Sequence, residues 1–278
     1  MSAININKEL PIGIFDSGIG GLTVVSQIHR VLPHEDIIYL GDTARVPYGT
    51  KSPSTVVRFA CEDTQFLIQQ NVKAVVVACN TVSAWALPAL ERKFDVPIFG
   101  VIIAGAQFAL TKTRNRRIGV IGTATTIRSM AYSRAILARD DSAKVYAQAC
   151  PLLVPLVEEG WTNNKVTRAV LRAYLSPLLR RGIDTLVLGC THYPLLKRAI
   201  RSVAGKDVVL VDSAESCARY LVERLEAAKL LNKTRRRPGM IHPFVTDEVE
   251  RFGELAGRFL GFQTELAWKV DLQTIVAA

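Results

Sequence analysis

The chain has no apolar run long enough to span a membrane. The longest, around Val96 to Leu110, is interrupted by Pro97, Gly100, Gly105 and Gln107, and it is shorter than the roughly 20 residues a spanning helix needs. The opening residues, Met1 to Lys8, lack the apolar centre of a secretory signal. A cytoplasmic location with no membrane partner is therefore expected. Cysteine is sparse: there are five, an odd number with no close pairing, which argues against a disulfide framework and for free thiols that each need a reason of their own. No glycine-rich phosphate loop ending in Lys and Ser/Thr is present, and no lysine sits in a motif that suggests a Schiff base. The glycine-rich turn that does occur, Gly18-Ile19-Gly20-Gly21-Leu22-Thr23, places a threonine where a dinucleotide fingerprint needs its third glycine. Acidic residues are in deficit, 25 against 35 Lys and Arg, for a net charge of +10. Such a balance concentrates anions near the surface; a small dicarboxylate fits, and so does nucleic acid. The one dense basic run, Lys233-Thr234-Arg235-Arg236-Arg237, has no interleaved aromatics. It reads as a solvated loop, so nucleic acid is not an expected partner.

What remains is the composition of an ordinary globular protein, 49% hydrophobic and 22% charged over 278 residues. Near-continuous apolar runs at 12–15, 37–40, 74–78, 98–101, 118–121, 185–188 and 208–211 read as strands buried on both faces. Helical patterns such as 53–70 and 166–181 lie between them. The alternation predicts an α/β fold whose parallel sheets are flanked by helices. A weak repeat is superimposed on it. Ala74-Val75-Val76-Val77-Ala78-Cys79-Asn80-Thr81 matches Thr185-Leu186-Val187-Leu188-Gly189-Cys190-Thr191-His192 in pattern, and Ile12-Gly13-Ile14-Phe15 matches Ile118-Gly119-Val120-Ile121 at nearly the same offset. Two duplicated α/β halves are expected. Ligands in open α/β sheets bind beyond the carboxyl ends of the strands, where both Cys79 and Cys190 fall, so a shared cleft flanked by the two thiols follows.

Cys61, Cys150 and Cys217 lie in helical or strand-like patterns and read as space-fillers. Cys79 and Cys190 differ, because Asn80-Thr81 and Thr191-His192 follow them where a helix is expected to begin. A helix start and a nearby cation both favour thiolate, and His192 is placed to be that cation or a proton partner. Asp16, after the first strand, would repel a phosphate but suits an ammonium group or proton exchange with a thiol; a turn aspartate serving local N–H groups is the plainer reading. The Pro47-Tyr48-Gly49 segment makes a turn whose amides suit a carboxylate. Gly122-Thr123-Ala124-Thr125-Thr126 offers hydroxyls and amides to the same end, or simply caps a helix. Together these groups suit proton transfer at a carbon of a small zwitterionic acid.

Asp16-Ser17-Gly18-Ile19-Gly20-Gly21, Pro47-Tyr48-Gly49, Ala78-Cys79-Asn80-Thr81 and Gly189-Cys190-Thr191-His192-Tyr193-Pro194, in this order along the chain, resemble the signature segments of bacterial glutamate racemases. Val154-Pro155-Leu156-Val157-Glu158 and Val211-Asp212-Ser213-Ala214 extend the similarity. One departure is the lack of a proline near Ala104, where the family commonly carries one. The resemblance implies two pseudo-symmetric α/β domains, 1–101 with 212–278 and 102–211, and an active site in the cleft between them. It implies no cofactor and no metal. Cys79 and Cys190 would be the opposed proton-transfer groups, with Asp16 and His192 as their partners. Ser17, Tyr48 and Gly49 would hold the side-chain carboxylate of glutamate, and Asn80, Thr81 and Thr191 its α-amino and α-carboxylate groups. Glu158 would support His192, and Thr123 would stand just behind the substrate. The product would supply peptidoglycan synthesis, and a homodimer is the expected assembly. Three readings compete: another amino-acid racemase, such as one for aspartate; a zinc protein using Cys79, Cys190 and His192; and a binding protein without catalysis.

Overall fold

The computed structural model describes residues 7–232 and 237–272, so Lys233 to Arg236 of the basic run lie outside the described residues. Ten strands are present among them: β1 (Ile12–Asp16), β2 (Ile37–Gly41), β3 (Ala74–Val77), β4 (Ile98–Gly100), β5 (Arg117–Gly122), β6 (Lys144–Ala149), β7 (Thr185–Gly189), β8 (Val209–Asp212), β9 (Ile241–Val245) and β10 (Trp268–Lys269). They form two sheets, ordered β10-β9-β2-β1-β3-β4 and β6-β5-β7-β8. Every strand pairing is parallel. The central strands are apolar and wholly buried because helices cover both faces.

The repeat seen in the sequence is a repeat of topology. The order β2-β1-β3-β4 in one sheet is the order β6-β5-β7-β8 in the other. The matching segments are therefore equivalent strands, β1 with β5 and β3 with β7. Chain order reverses direction beside β1 and again beside β5, and crevices open at such switch points. The helix Val101–Lys112 leaves β4 and begins the second sheet; it runs unbroken through Ala104. Ser213–Ala227 follows β8 and packs against both Val101–Lys112 and Leu22–Val31, joining the two halves. Its start is capped by Asp212, whose Oδ1 accepts from the Ala214 amide at 2.8 Å.

Three strands were not legible. β6 is an edge strand with partly exposed side chains, Lys144 and Gln148 among them, so it lacks the apolar run of its neighbours. β9 carries Pro243 in its middle, a residue that argues against a central strand. β10 is only two residues long.

Candidate active site

Each central strand delivers a functional group at its carboxyl end. Asp16 closes β1, Cys79 follows β3, Thr123 follows β5 and Cys190 follows β7. A cavity of about 490 Å³ opens across these ends. Ser17, Tyr48, Gly49, Cys79, Asn80 and Thr81 line it from the first half; Thr123, Glu158, Cys190, Thr191 and His192 line it from the second. Of the twelve site residues expected from the sequence, only Asp16 is absent from this lining; it lies buried just beneath. All five cysteines are free thiols.

On the first side, the Cys79 sulfur is 3.5 Å from the Ser17 hydroxyl, and Cys79 occupies the N-cap position of the helix Asn80–Trp85 without a capping bond from its side chain. Helix starts favour thiolate, yet burial, followed by the charge of Asp16, pushes this thiol up to about 12. The magnitudes explain the reversal. A helix terminus contributes about 0.3–1 kcal/mol, less than the 1.36 kcal/mol of one pKa unit, while full burial moves a group by up to about 3–5 units. Burial also raises the Asp16 carboxyl, against the opposing charge of His192. Its Oδ2 accepts from the Gly18 amide at 3.2 Å.

On the second side, the Cys190 sulfur lies 4.0 Å from His192 Nδ1, and burial again drives the thiol upward. His192 Nε2 is 2.9 Å from Glu158 Oε1. That hydrogen bond holds the Glu158 carboxyl below the usual carboxylate range, and it fixes the ring so that Nδ1 faces the sulfur. Phe259 packs edge-on against the imidazole at 5.2 Å. Gly20 is the close neighbour that allows this ring position. A Cβ there would sit 2.3 Å from Thr191 Oγ1 and 2.5 Å from His192 Nδ1. Gly20→Ala is expected to lower the turnover rate by about 10²-fold, through displacement of His192, with an unchanged circular dichroism spectrum; an alanine variant of full activity would contradict this placement.

The floor of the cavity is polar and interlocked. Thr81, Thr123 and Thr126 share their hydroxyls at 2.9–3.1 Å, and Thr123 also caps the helix Ala124–Arg128. Asn80 Oδ1 accepts from the Tyr132 hydroxyl at 2.7 Å, a bond between the two halves. The Tyr48 hydroxyl is turned away from the cavity toward Asp42 and Asp63. Tyr48 and Gly49 thus offer a ligand the amides at the start of a short 3-10 turn, whose first N–H groups lack partners within the turn.

Sequence reasoning missed the cavity's upper wall. The helix Val249–Leu260 contributes Arg251, Phe252 and Leu255, and Arg251 approaches Glu158 Oε2 at 3.9 Å. Only the helical spacing of apolar residues marked this segment, and that spacing does not distinguish a core face from a cavity wall. Among the described residues, no group of three or more His, Cys, Asp or Glu could hold a metal ion, which leaves the zinc reading without a ligand set there. No helix is long and apolar enough to cross a membrane, among the same residues.

The sequence and the overall fold are similar to those of known proteins. Residues 12–221 match the Asp/Glu/hydantoin racemase family. A glutamate racemase from Geobacter metallireducens is 53% identical over 262 residues, 94% of this chain and 97% of the relative. Among solved structures, glutamate racemase isoform RacE1 from Bacillus anthracis superposes with a TM-score of 0.91 at 42% identity, covering 96% of this chain and 99% of that one. The glutamate racemase from Francisella tularensis, solved in complex with D-glutamate, gives 0.88 at 40% identity over 96% and 99%.

Proposed function

Because the chain belongs to the Asp/Glu/hydantoin racemase family, we propose that it interconverts L- and D-glutamate by two-base proton transfer at Cα, with Cys79 and Cys190 as the bases. The observation that carries this reading is the placement of two free thiols at equivalent strand ends of two sheets, both lining one cavity. The same reading divides the chain into a first domain of 1–101 with 212–278 and a second of 102–211. It places the enzyme in the cytoplasm, as a homodimer that supplies D-glutamate for peptidoglycan.

Inversion requires a proton to leave one face of Cα and another to arrive at the opposite face. With L-glutamate bound, the Cys190 thiolate takes the Cα proton and the Cys79 thiol gives its own to the other face. The enzyme is left with a Cys190 thiol and a Cys79 thiolate, ready for the D-enantiomer. His192 Nδ1 and the Asp16 carboxyl return protons to and from their thiols between turnovers. The Cα proton is far less acidic than an ordinary thiol of pKa about 8.5. Burial narrows this gap, since a thiol pushed up to about 12 has a correspondingly stronger conjugate base. Amides and hydroxyls around the α-carboxylate, with the retained ammonium, stabilise the carbanion. Ser17 and the Tyr48–Gly49 amides hold the distal carboxylate; Asn80, Thr81 and Thr191 hold the α-groups, and Thr123 steadies Thr81.

The test is exchange of solvent deuterium into Cα with purified protein and no added cofactor. Exchange and loss of optical activity are expected with L-glutamate, and far less of both with L-aspartate. Preference for aspartate would shift the reading to an aspartate racemase, and glutamate binding without exchange would leave only a binding protein.

A further inference from the structure

The turn that carries Tyr48 and Gly49 is anchored from behind by a charged cluster. The Arg45 guanidinium forks to three carboxylates: Nε to Asp42 Oδ2 at 2.6 Å, Nη2 to Asp63 Oδ1 at 2.9 Å, and Nη1 to Glu62. The Tyr48 hydroxyl donates to the same Asp42 oxygen and lies 3.3 Å from Asp63 Oδ2. Arg45 also lies over the Phe59 ring, 4.1 Å from its centroid, and the Tyr48 ring packs tilted against the same ring, 5.4 Å between centroids. The Asp42 and Asp63 side chains are wholly buried, whereas Arg45 is 21% exposed. Arg45 does not line the substrate cavity; it faces a separate depression behind the turn. On the opposite side, the Thr125 hydroxyl donates to the Gly49 carbonyl at 2.6 Å.

Building on the glutamate reading above, we propose that Arg45, held by Asp42 and Asp63, is a positioning residue that fixes the Tyr48–Gly49 amides against the distal carboxylate of the substrate. The physical case has two parts. First, amides select a carboxylate only if their directions are fixed before it arrives. Here the turn is tied by Tyr48 to one half of the molecule and by Thr125 to the other. Second, the cluster lies beside the place where an anion must bind. Two buried carboxylates there would repel it in a medium that screens charge weakly. Arg45 offsets them, and burial together with neighbouring Asp42 holds the Asp63 carboxyl well above the usual range, so less negative charge faces the ligand. The planar fork of guanidinium donors is what lets one cation tie several carboxylates in fixed directions, and an ammonium cannot reproduce it.

Steady-state kinetics with L-glutamate on the full chain tests this with Arg45→Met, Arg45→Lys and Tyr48→Phe. Arg45→Met is expected to raise KM by at least about tenfold, the effect of losing one well-placed charge-assisted contact, with kcat changed by a smaller factor. Arg45→Lys recovers part of the KM effect, and Tyr48→Phe shifts KM in the same direction; these two carry the test if Arg45→Met fails to fold. An unchanged KM, or a loss expressed in kcat more than in KM, overturns the proposal. A wild-type chain that does not turn over glutamate would instead remove the underlying reading, an outcome seen before any variant is made.

Discussion

Cys79→Ser and Cys190→Ser are each expected to abolish racemisation in both directions, by about 10³-fold or more, as befits removal of a general acid–base group. A serine hydroxyl is too weak an acid and too poorly ionised to replace a thiol on either face. The two variants are distinguishable by isotope exchange. Cys79→Ser keeps Cys190 and its His192–Glu158 pair, so it still exchanges the Cα proton of L-glutamate with solvent, without inversion. Cys190→Ser keeps Cys79 and Asp16 and exchanges only the D-enantiomer. Normal racemisation by either variant removes the two-base mechanism. The wild-type pH profile follows from the same groups. Both thiols are displaced upward by burial, so the thiolate fraction increases with pH through the neutral range, and kcat/KM is expected to rise from pH 6 toward the alkaline side. A rate that falls over this interval would mean that the thiolates are not the bases.

Lys73→Met is expected to destabilise the fold by about 3–5 kcal/mol, the range for breaking a buried ion pair by removing one partner. The Lys73 ammonium has no solvent exposure. It contacts Glu35 Oε2 at 2.5 Å and the Lys8 carbonyl at 2.7 Å, while Glu35 Oε1 accepts from the Asn232 amide at 2.9 Å. The pair thus ties the segment before β1, the approach to β2 and the segment that follows the helix Ser213–Ala227. Methionine fills the volume of the lysine stem but strands the carboxylate in a dry site. The measurable outcome is a melting temperature lower by roughly 10 °C, with activity per folded molecule retained, because Lys73 precedes β3 while Cys79 follows it. Adding Glu35→Gln removes the stranded charge and is expected to recover part of the loss. A melting temperature unchanged by Lys73→Met would show that the pair contributes no net stability.

The legible parts of this protein were those where one physical requirement dominates a short segment. Strands buried on both faces must be apolar throughout, so β1, β3, β5 and β7 could be read, and so could the polar residues clustered at their ends. β9 failed that test because Pro243 occupies a position where a strand normally donates a hydrogen bond. The chemistry of the site was less accessible than its membership. Helix starts pointed to lowered thiol pKa values, whereas burial, a property of the assembled cleft, decides the opposite direction. Tyr48 could be placed at the cavity but not oriented, since the partners of its hydroxyl, Asp42 earlier in the same loop and Asp63 on the helix Pro53–Gln69, meet it only once that helix folds back on the loop. Arg251 had no local signature, because its value depends on how the helix Val249–Leu260 meets Glu158.

The two thiols have unlike neighbours, a carboxyl on one side and an imidazole–carboxylate pair on the other. Mirror-image substrates have equal free energies in water, so this inequality has no power over the equilibrium mixture, which stays at one to one. It acts instead on occupancy. Whichever enantiomer is bound more tightly must also be converted more slowly once bound, by the same factor. Net flow toward one hand therefore depends on what consumes it elsewhere, and the lopsided cleft sets the concentration at which each direction saturates and the maximal rate it then reaches.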